Sequence, residues 1–394
     1  MTASPASPAA PLPAARLASF YLAYYAALGA FTPYWSLFLK ARGQDVAAIG
    51  VLMSLWYATR IVAPSAWSWL AARSPRPVRW LRIGSALTLA SFALFLLPLD
   101  FTGLFVAMCV FCFAYNAVMP QFEALTLSHL VGRVERYGRI RVWGSIGFIA
   151  IVGAFGVVLD HVAMTLLPLL MLPLYAGLFA SSCVNDYGSM HRDAAAAPSG
   201  FREHLMKPEV IVFFLVALLA QISFGPYYTF FSLYLEHHGY RPAALGAFWT
   251  IGVAAEIALF FASARLFARW DATHVLVAAL ATAALRWWLT ALFPDSVAVL
   301  ALAQVTHALN FAGLYAACMQ LLVRFFPGRL NGHGQGIYYG FSSGVGGVIG
   351  ALLAGTLWKI DNGRTAFLVG GALAAVAAAL ALLMLRLRAA RAEG

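Results

Sequence analysis

Ser36-Leu-Phe-Leu-Lys-Ala-Arg-Gly43 returns 196 positions later as Ser232-Leu-Tyr-Leu-Glu-His-His-Gly239, and seven residues beyond each terminal glycine stands another, Gly50 and Gly246. Each copy closes one long apolar run and leads into the next. The same offset carries Gly138 to Gly334 and Gly144 to Gly340. Shared spacing over two separate regions marks a duplicated unit whose halves are related by an axis along the membrane normal.

Composition supplies the solvent in which that unit sits. Of 394 residues, 62% are apolar and 10% charged, whereas charged residues make up roughly a quarter of a soluble domain. A bilayer span takes about 20 apolar residues, and such runs fall at 16–39, 46–70, 78–98, 101–128, 138–159, 162–182, 208–235, 243–267, 273–293, 296–323, 334–357 and 364–386. Backbone polar groups in lipid must be satisfied internally, and runs this long do so as helices, not as the short alternating strands of a barrel. The reading is an all-α polytopic membrane protein of twelve transmembrane helices in two pseudo-symmetric six-helix bundles.

The longest polar interruption, Asn185 to Pro208, contains the low-complexity run Ala194 to Gly200 and separates six runs from six. The expected units are a tail at 1–15, a bundle at 16–184, a linker at 185–207, a second bundle at 208–388 and a tail at 389–394. Met1 to Ala15 is rich in Pro, Ala and Ser and lacks the basic and apolar regions of a signal peptide, so it reads as a disordered cytoplasmic tail.

The net charge of +11 invites a nucleic-acid reading, which its placement excludes. With both termini inside, 19 of the 26 Lys and Arg lie on inner connections, and five, Lys40, Arg42, Arg241, Lys359 and Arg364, lie on outer ones. This is the bias that orients membrane proteins, and it predicts cytoplasmic termini. Cys109, Cys112, Cys183 and Cys318 lie in or beside the runs without partner ligands. They are expected to pack and to hold no metal.

Six ionisable residues stand where they are costly: Arg60, Glu123, Arg141, Glu256, Arg286 and His307. The offset superposes Arg60 on Glu256, each about 14 residues into its helix and so near mid-bilayer at about 1.5 Å per residue. Glu123, after Pro120, and Arg141 reach similar depths from one side, while Arg286 and His307 do so across the turn at Pro294. A carboxylate in low dielectric exchanges its proton near neutrality, and a nearby arginine or bound anion shifts that exchange; histidine titrates in the same range. Glu256 and His307 are the preferred proton-handling pair and Glu123 their rival, with Arg141 or Arg286 holding an anionic group and Arg60 also expected at the substrate. The same residues also suit a purely structural network.

Aromatic residues form 14% of the chain. Tyr24, Trp56, Tyr227 and Trp249 lie inside runs and suit either packing or a stacking wall for a ring-shaped ligand. Glycines 144, 147, 340, 344, 347 and 350 give small-residue faces, read either as a rocking interface between halves or as tight packing. The chain has no phosphate loop, nucleophile elbow or H-E-x-x-H motif, so an ATP-driven pump, a hydrolase and enzymes of those kinds are excluded.

The segments Tyr137-Gly-Arg-Ile-Arg-Val-Trp-Gly-Ser-Ile-Gly-Phe148, Ala220-Gln-Ile-Ser-Phe-Gly-Pro-Tyr-Tyr-Thr-Phe-Phe-Ser232, Gly252-Val-Ala-Ala-Glu-Ile257, Leu285-Arg-Trp287 and Gln304-Val-Thr-His307 resemble the 3-phenylpropionate permease family of the major facilitator superfamily. More distantly, Pro120 to Glu123 followed by Gly138 to Arg141 resembles the lactose permease family. That likeness implies sugar-contacting roles for Glu123 and Arg141 and proton-coupling roles for Glu256, Arg286 and His307. Asn310 stands where that family has a glutamate and cannot carry a proton, so it is expected at the substrate instead. The superfamily signature between the second and third runs is degenerate, Trp69 to Arg79 keeping Arg but no Asp.

Together these readings predict a proton-coupled symporter that takes up a small organic acid, such as an aromatic carboxylate, by alternating access. It is expected to work as a monomer in the bacterial inner membrane, with no cofactor beyond the coupling proton. Rivals are a sugar or nucleoside symporter, a drug exporter and a non-transporting membrane sensor.

Overall fold

A computed structural model describes residues 12–130, 133, 136–187 and 200–392, the side chains of 264 and 386–392 excepted. The expectations for residues 1–11, for 188–199 of the linker and for 393–394 lie outside the described residues. The described chain is all-α. Its long helices are α1 (Ala14–Ala41), α2 (Val46–Ala72), α3 (Val78–Leu96), α4 (Phe101–His129), α5 (Tyr137–Leu159) and α6 (Met164–Cys183). After a short helix at Phe201–Leu205 come α7 (Pro208–His237), α8 (Pro242–Arg269), α9 (Ala272–Leu292), α10 (Val297–Phe325), α11 (Gly328–Asp361) and α12 (Arg364–Ala392).

Eleven of these stretches are long and apolar enough to cross a membrane. The remaining one, α1, is 28 residues long and equally buried, but tyrosines 21, 24, 25 and 34 lower its hydropathy. Two bounds differ from the sequence expectation. α11 begins at Gly328, because Gly332, Gly334 and Gly336 mask a helical start that Phe326 covers by packing on Gly334. α12 runs on to Ala392 through the expected tail, since Ala, Leu and Arg are strong helix formers and polarity marks the edge of lipid, not the end of a helix.

Local chemistry fixes the ends. Asp45, Asp100 and Asp271 cap α2, α4 and α9 by accepting from Ala48 N at 2.7 Å, Gly103 N at 2.8 Å and Thr273 N at 2.8 Å, each satisfying an orphan donor of a helix start. Gly43 and Gly239, at φ +78° and +82°, end α1 and α7 in the same way. Gly43 N bonds Lys40 O at 2.9 Å and Gln44 N bonds Leu39 O at 3.1 Å; Gly239 N bonds Glu236 O at 3.0 Å and Tyr240 N bonds Leu235 O at 3.1 Å. Both are Schellman stops, which need the left-handed residue that glycine supplies without strain. The repeated glycine of the sequence is thus a repeated backbone device.

Packing repeats as well. In one half α1 lies on α5 and α6, α2 on α4, and α3 on α4 and α6; in the other α7 lies on α11 and α12, α8 on α10, and α9 on α10 and α12. The halves meet through two equivalent contacts, α5 with α8 and α2 with α11, and through α1 with α7. At the end away from the start of α1, Gly156 and Gly246 bring α5 and α8 together, a Cβ on Gly246 falling 2.7 Å from Tyr34 Oη and 2.8 Å from Val152 O. Lys40 Nζ bonds Glu236 Oε2 at 2.8 Å, and Ala243 N donates to Asp160 Oδ1 at 3.1 Å, across the same end. Toward the other end a cavity of about 720 Å³ lies between Ile61 of α2 and the Arg329 to Val345 stretch of α11.

The expected glycine faces divide. Gly144 and Gly147 receive Tyr25 and the Leu22 carbonyl of α1, inside their own half. Gly344 and Gly347 receive Ile61 and Tyr57 of the other half. Only the α11 face lies between bundles, because α5 turns its glycines toward α1 and reaches α8 with Gly156.

Candidate functional site

In the first half, Glu123 of α4 and Arg141 of α5 come together as the sequence predicts, with Arg141 Nε 4.0 Å from Glu123 Oε1. Phenols hold the carboxylate more closely than the arginine does. Tyr21 Oη donates to Glu123 Oε2 at 2.8 Å, and Tyr137 Oη lies 3.1 Å from both carboxylate oxygens. The Arg141 guanidinium lies over Tyr25, 4.0 Å from its ring centroid, a cation–π contact. Both charged side chains are about 30% exposed (29% for Arg141 and 30% for Glu123).

The second half is built on a sealed cluster. Arg286 of α9, with 0% of its surface exposed, donates from Nη1 to His307 Nδ1 at 2.9 Å and from Nη2 to Gln304 Oε1 at 2.9 Å. Arginine has no acceptor, so His307 Nδ1 takes the lone-pair role and the neutral ring carries its proton on Nε2. That nitrogen faces Glu256 Oε2 of α8 at 3.8 Å, beyond hydrogen-bond distance but within reach of a small adjustment. Tyr227 Oη also donates to Gln304 Oε1, at 3.1 Å, and its ring lies 4.2 Å from the Arg286 guanidinium carbon. Arg286 therefore does not reach solvent in this structure, and the expectation that it meets a substrate anion directly has no geometric counterpart here.

The clusters lie on helices that pack together across the halves, Arg141 on α5 and Glu256 on α8. Glu256 lies within the electrostatic reach of Arg141, and Tyr25 feels both. Arg60 and Glu256, superposed by the repeat, do not pair. Arg60 Nε donates to Asn116 Oδ1 at 3.3 Å and its guanidinium sits 5.5 Å from the Trp56 ring. Asn310 is fully buried, donating to Ala279 O at 2.9 Å, which places it in the packing of α9 on α10. The expected aromatic wall lies inside the bundles: Tyr24 stacks on Tyr115 at 4.2 Å, Trp56 on Phe31 at 5.1 Å, and Tyr227 lies 4.6 Å from Trp249. Trp249 Nε1 in turn donates to Ser232 Oγ at 3.1 Å.

Gln304, Tyr137 and Asn116 are partners absent from the expected site residues, and each leaves a helical signal. Gln304 precedes His307 by three positions, Tyr137 precedes Arg141 by four and Asn116 precedes Glu123 by seven, spacings that put each on the face of a deep ionisable residue of its own helix. Short π-helical segments at Leu309–Gly313 and Tyr338–Val345 interrupt α10 and α11. The first follows His307 and packs on α8 and α9, and the second packs on α2 and the start of α7; such bulges often mark functional sites. Phe311 and Tyr339 lie in these two segments and Tyr315 two residues past the first, all three exposed, with the Tyr315 and Tyr339 hydroxyls 2.8 Å apart.

Two pseudo-symmetric six-helix halves with facing charged groups near the membrane middle define a secondary transporter of the major facilitator type. The chain belongs to the MFS_1 like family, whose model matches residues 14–369. It is similar to the "Probable 3-phenylpropionic acid transporter" of Escherichia coli (strain K12), with 25% identity over 353 residues covering 87% of this chain and 90% of the relative. It is also similar to the maltose permease of Geobacillus stearothermophilus, with 27% identity over 355 residues, 86% of this chain and 87% of the relative. Among solved structures, the nucleoside transporter NupG aligns with a TM-score of 0.81 at 15% identity, covering 94% of this chain and 98% of that one. The POT family transporter PepTSo aligns at 0.78 with 11% identity, covering 95% and 97%. These likenesses bear out the expected superfamily and the all-helical fold, and the chain is a multi-pass membrane protein, not an enzyme.

Proposed function

We propose that this transporter couples proton movement to uptake of a small organic acid, with an aromatic carboxylate as the preferred class, by alternating access of the two bundles (residues 16–184 and 208–388). The observation that carries the reading is that Glu256 on α8 of one half lies within the electrostatic reach of Arg141 on α5 of the other, where those two helices pack across the halves. Such an arrangement links a carboxylate's protonation to the charge of whatever lies between the halves. His307, held as a single tautomer by Arg286, gives Glu256 a defined partner, and Glu123 is the rival proton site. The likeness to a probable 3-phenylpropionic acid transporter supports the substrate class. The distribution of Lys and Arg supports cytoplasmic termini, the bacterial relative supports an inner-membrane location, and we take the monomer as the working unit and the proton as the coupling species.

Uptake by the purified protein in liposomes tests this reading. An inward pH gradient is expected to concentrate 3-phenylpropionate, and Glu256→Gln is expected to leave exchange but remove concentration. Concentrative uptake that survives in the variant refutes the role of Glu256. A second reading, a sugar symporter, draws on the polar Glu123, Arg141 and Tyr137 group and on the maltose permease relative; maltose uptake in the same liposomes decides between them.

A further inference from the structure

Arg60 differs from every other deep cation in this chain. Arg141 has Glu123 beside it and Glu256 across the halves. Arg286 is walled in with His307 and Gln304. Arg60 lies fifteen residues into the 27-residue α2 and is exposed, and among the described residues it makes no ion pair. A guanidinium so placed in a membrane protein calls for an anion or for water.

Its surroundings are built, not incidental. Asn116 is 4% exposed, and its Nδ2 donates to Trp56 O and to Thr59 Oγ1, both at 2.9 Å. That leaves its Oδ1 aimed at Arg60 Nε. One edge of the guanidinium is thereby fixed, while Nη1 and Nη2 have no hydrogen-bond partner among the described residues. The free edge is the fork that grips a carboxylate through two parallel bonds. On the same stretch of α2, Tyr57 and Ile61 pack on Gly347 and Gly344 of α11, and Arg60 lies within electrostatic reach of Tyr25 of α1 and Tyr339 of α11, so this stretch runs along the junction of the halves. The exposed Tyr315 and Tyr339 offer ring faces on the opposite bundle.

We propose that Arg60 is the anchor for the substrate carboxylate, with Asn116 as its positioning residue and the Tyr315–Tyr339 pair receiving the apolar body, so that the ligand is a monocarboxylate that bridges the two bundles. The inference rests on the organic-acid reading and singles out Arg60 of α2 from the three arginines expected at the substrate. Charge balance agrees with it. Three deep arginines and two deep glutamates leave one positive charge in excess; a bound monocarboxylate cancels it, and the accompanying proton restores it. Empty and doubly loaded carriers then hold equal charge, so transport with one proton is electroneutral.

The test uses full-length protein in liposomes, radiolabelled 3-phenylpropionate, and the neutral isostere 3-phenylpropanamide as a competitor. Arg60→Gln is expected to raise KM for the acid by about tenfold or more, the scale of hydrogen bonds to a charged group. The amide's inhibition constant should stay within about twofold, because a ligand without the anion forfeits no charged pairing. Arg60→Lys, which keeps the charge and loses the fork, should fall between. An acid KM that does not change, or acid and amide weakened in equal proportion by both variants, overturns the anchor while leaving the organic-acid reading intact. If Arg60→Gln melts early, the Arg60→Lys protein decides by the same acid-to-amide ratio. A wild-type protein that takes up maltose or a nucleoside but no carboxylate overturns both readings together.

Discussion

Glu123 and Arg141 are each about 30% exposed and rest on phenols, whereas Arg286 and His307, at 0% of the residue and 4% of the side chain, are closed in by Gln304, Tyr227 and Trp287. The two halves share a packing plan yet carry their deep charges differently. In the first, a carboxylate and an arginine held by tyrosines keep about 30% of their side chains exposed. In the second, an arginine fixes an imidazole, and only the imidazole's far nitrogen looks toward a carboxylate. On the proposed function, the first half meets the ligand and the second holds the proton path. Burial, more than residue type, separates the roles.

The sharpest way to break this comparison is to remove the sealed arginine. Arg286→Met strips the donor from His307 Nδ1 and one donor from Gln304 Oε1, at about 1–3 kcal/mol for each buried polar atom left unpaired. It is expected to abolish proton-driven uptake and to lower the apparent melting temperature in detergent. Unchanged melting with lost uptake would show that the cluster is not part of the fold's support. A smaller effect is expected in the open half. Tyr137→Phe removes one phenol from Glu123 and should weaken substrate affinity by roughly fivefold, about 1 kcal/mol, with no change in melting. A fall in melting there would mean that this half too is structurally committed.

The smallest effect concerns a clamp that only the second half has. Arg324 Nη2 lies 2.8 Å from Asp271 Oδ2, joining the end of α10 to the start of α9. At the offset of 196 the first half has Pro75 and Ser128, residue types that cannot form an ion pair. Burial pushes the Asp271 carboxyl up, but hydrogen bonds from Arg324 and Thr273 outweigh it and hold the group at about 2, below its ordinary 3.8. The unfolded chain therefore binds this proton first as pH falls. The stabilisation is complete above about pH 4 and disappears as the pH drops through about 2. Solvent screening keeps it small. Asp271→Asn should flatten a slight loss of melting temperature between about pH 4 and pH 2.5; an identical acid profile in the variant would remove the clamp from the account.

Much of the frame is readable from residues alone because it rests on local rules. The Gly43 and Gly239 match reports a backbone conformation that few other residues adopt, so it survives divergence of its surroundings. The pairings of Glu123 with Arg141 and of Arg286 with His307 follow from depth along a helix, which counting gives. Accessibility does not follow from counting. Arg60 and Arg286 read alike in the sequence, each a lone arginine in an apolar helix, yet one is open and the other sealed. Tyr24, Trp56 and Asn310 fill bundle interiors for the same reason: a helical face is defined by period, but its neighbour is defined by how other helices pack.

The sequence by itself determined a duplicated, lipid-embedded helical chain, the six deep ionisable groups and the heights at which they stand, since hydropathy, charge and periodicity are properties of a single helix. Only the tertiary structure decided which of those groups touch, which are sealed, and that the halves close on each other at one end. Those are properties of distances between helices far apart in the chain, set by side-chain volume where α5 meets α8 and α2 meets α11, and no local pattern of residues carries them.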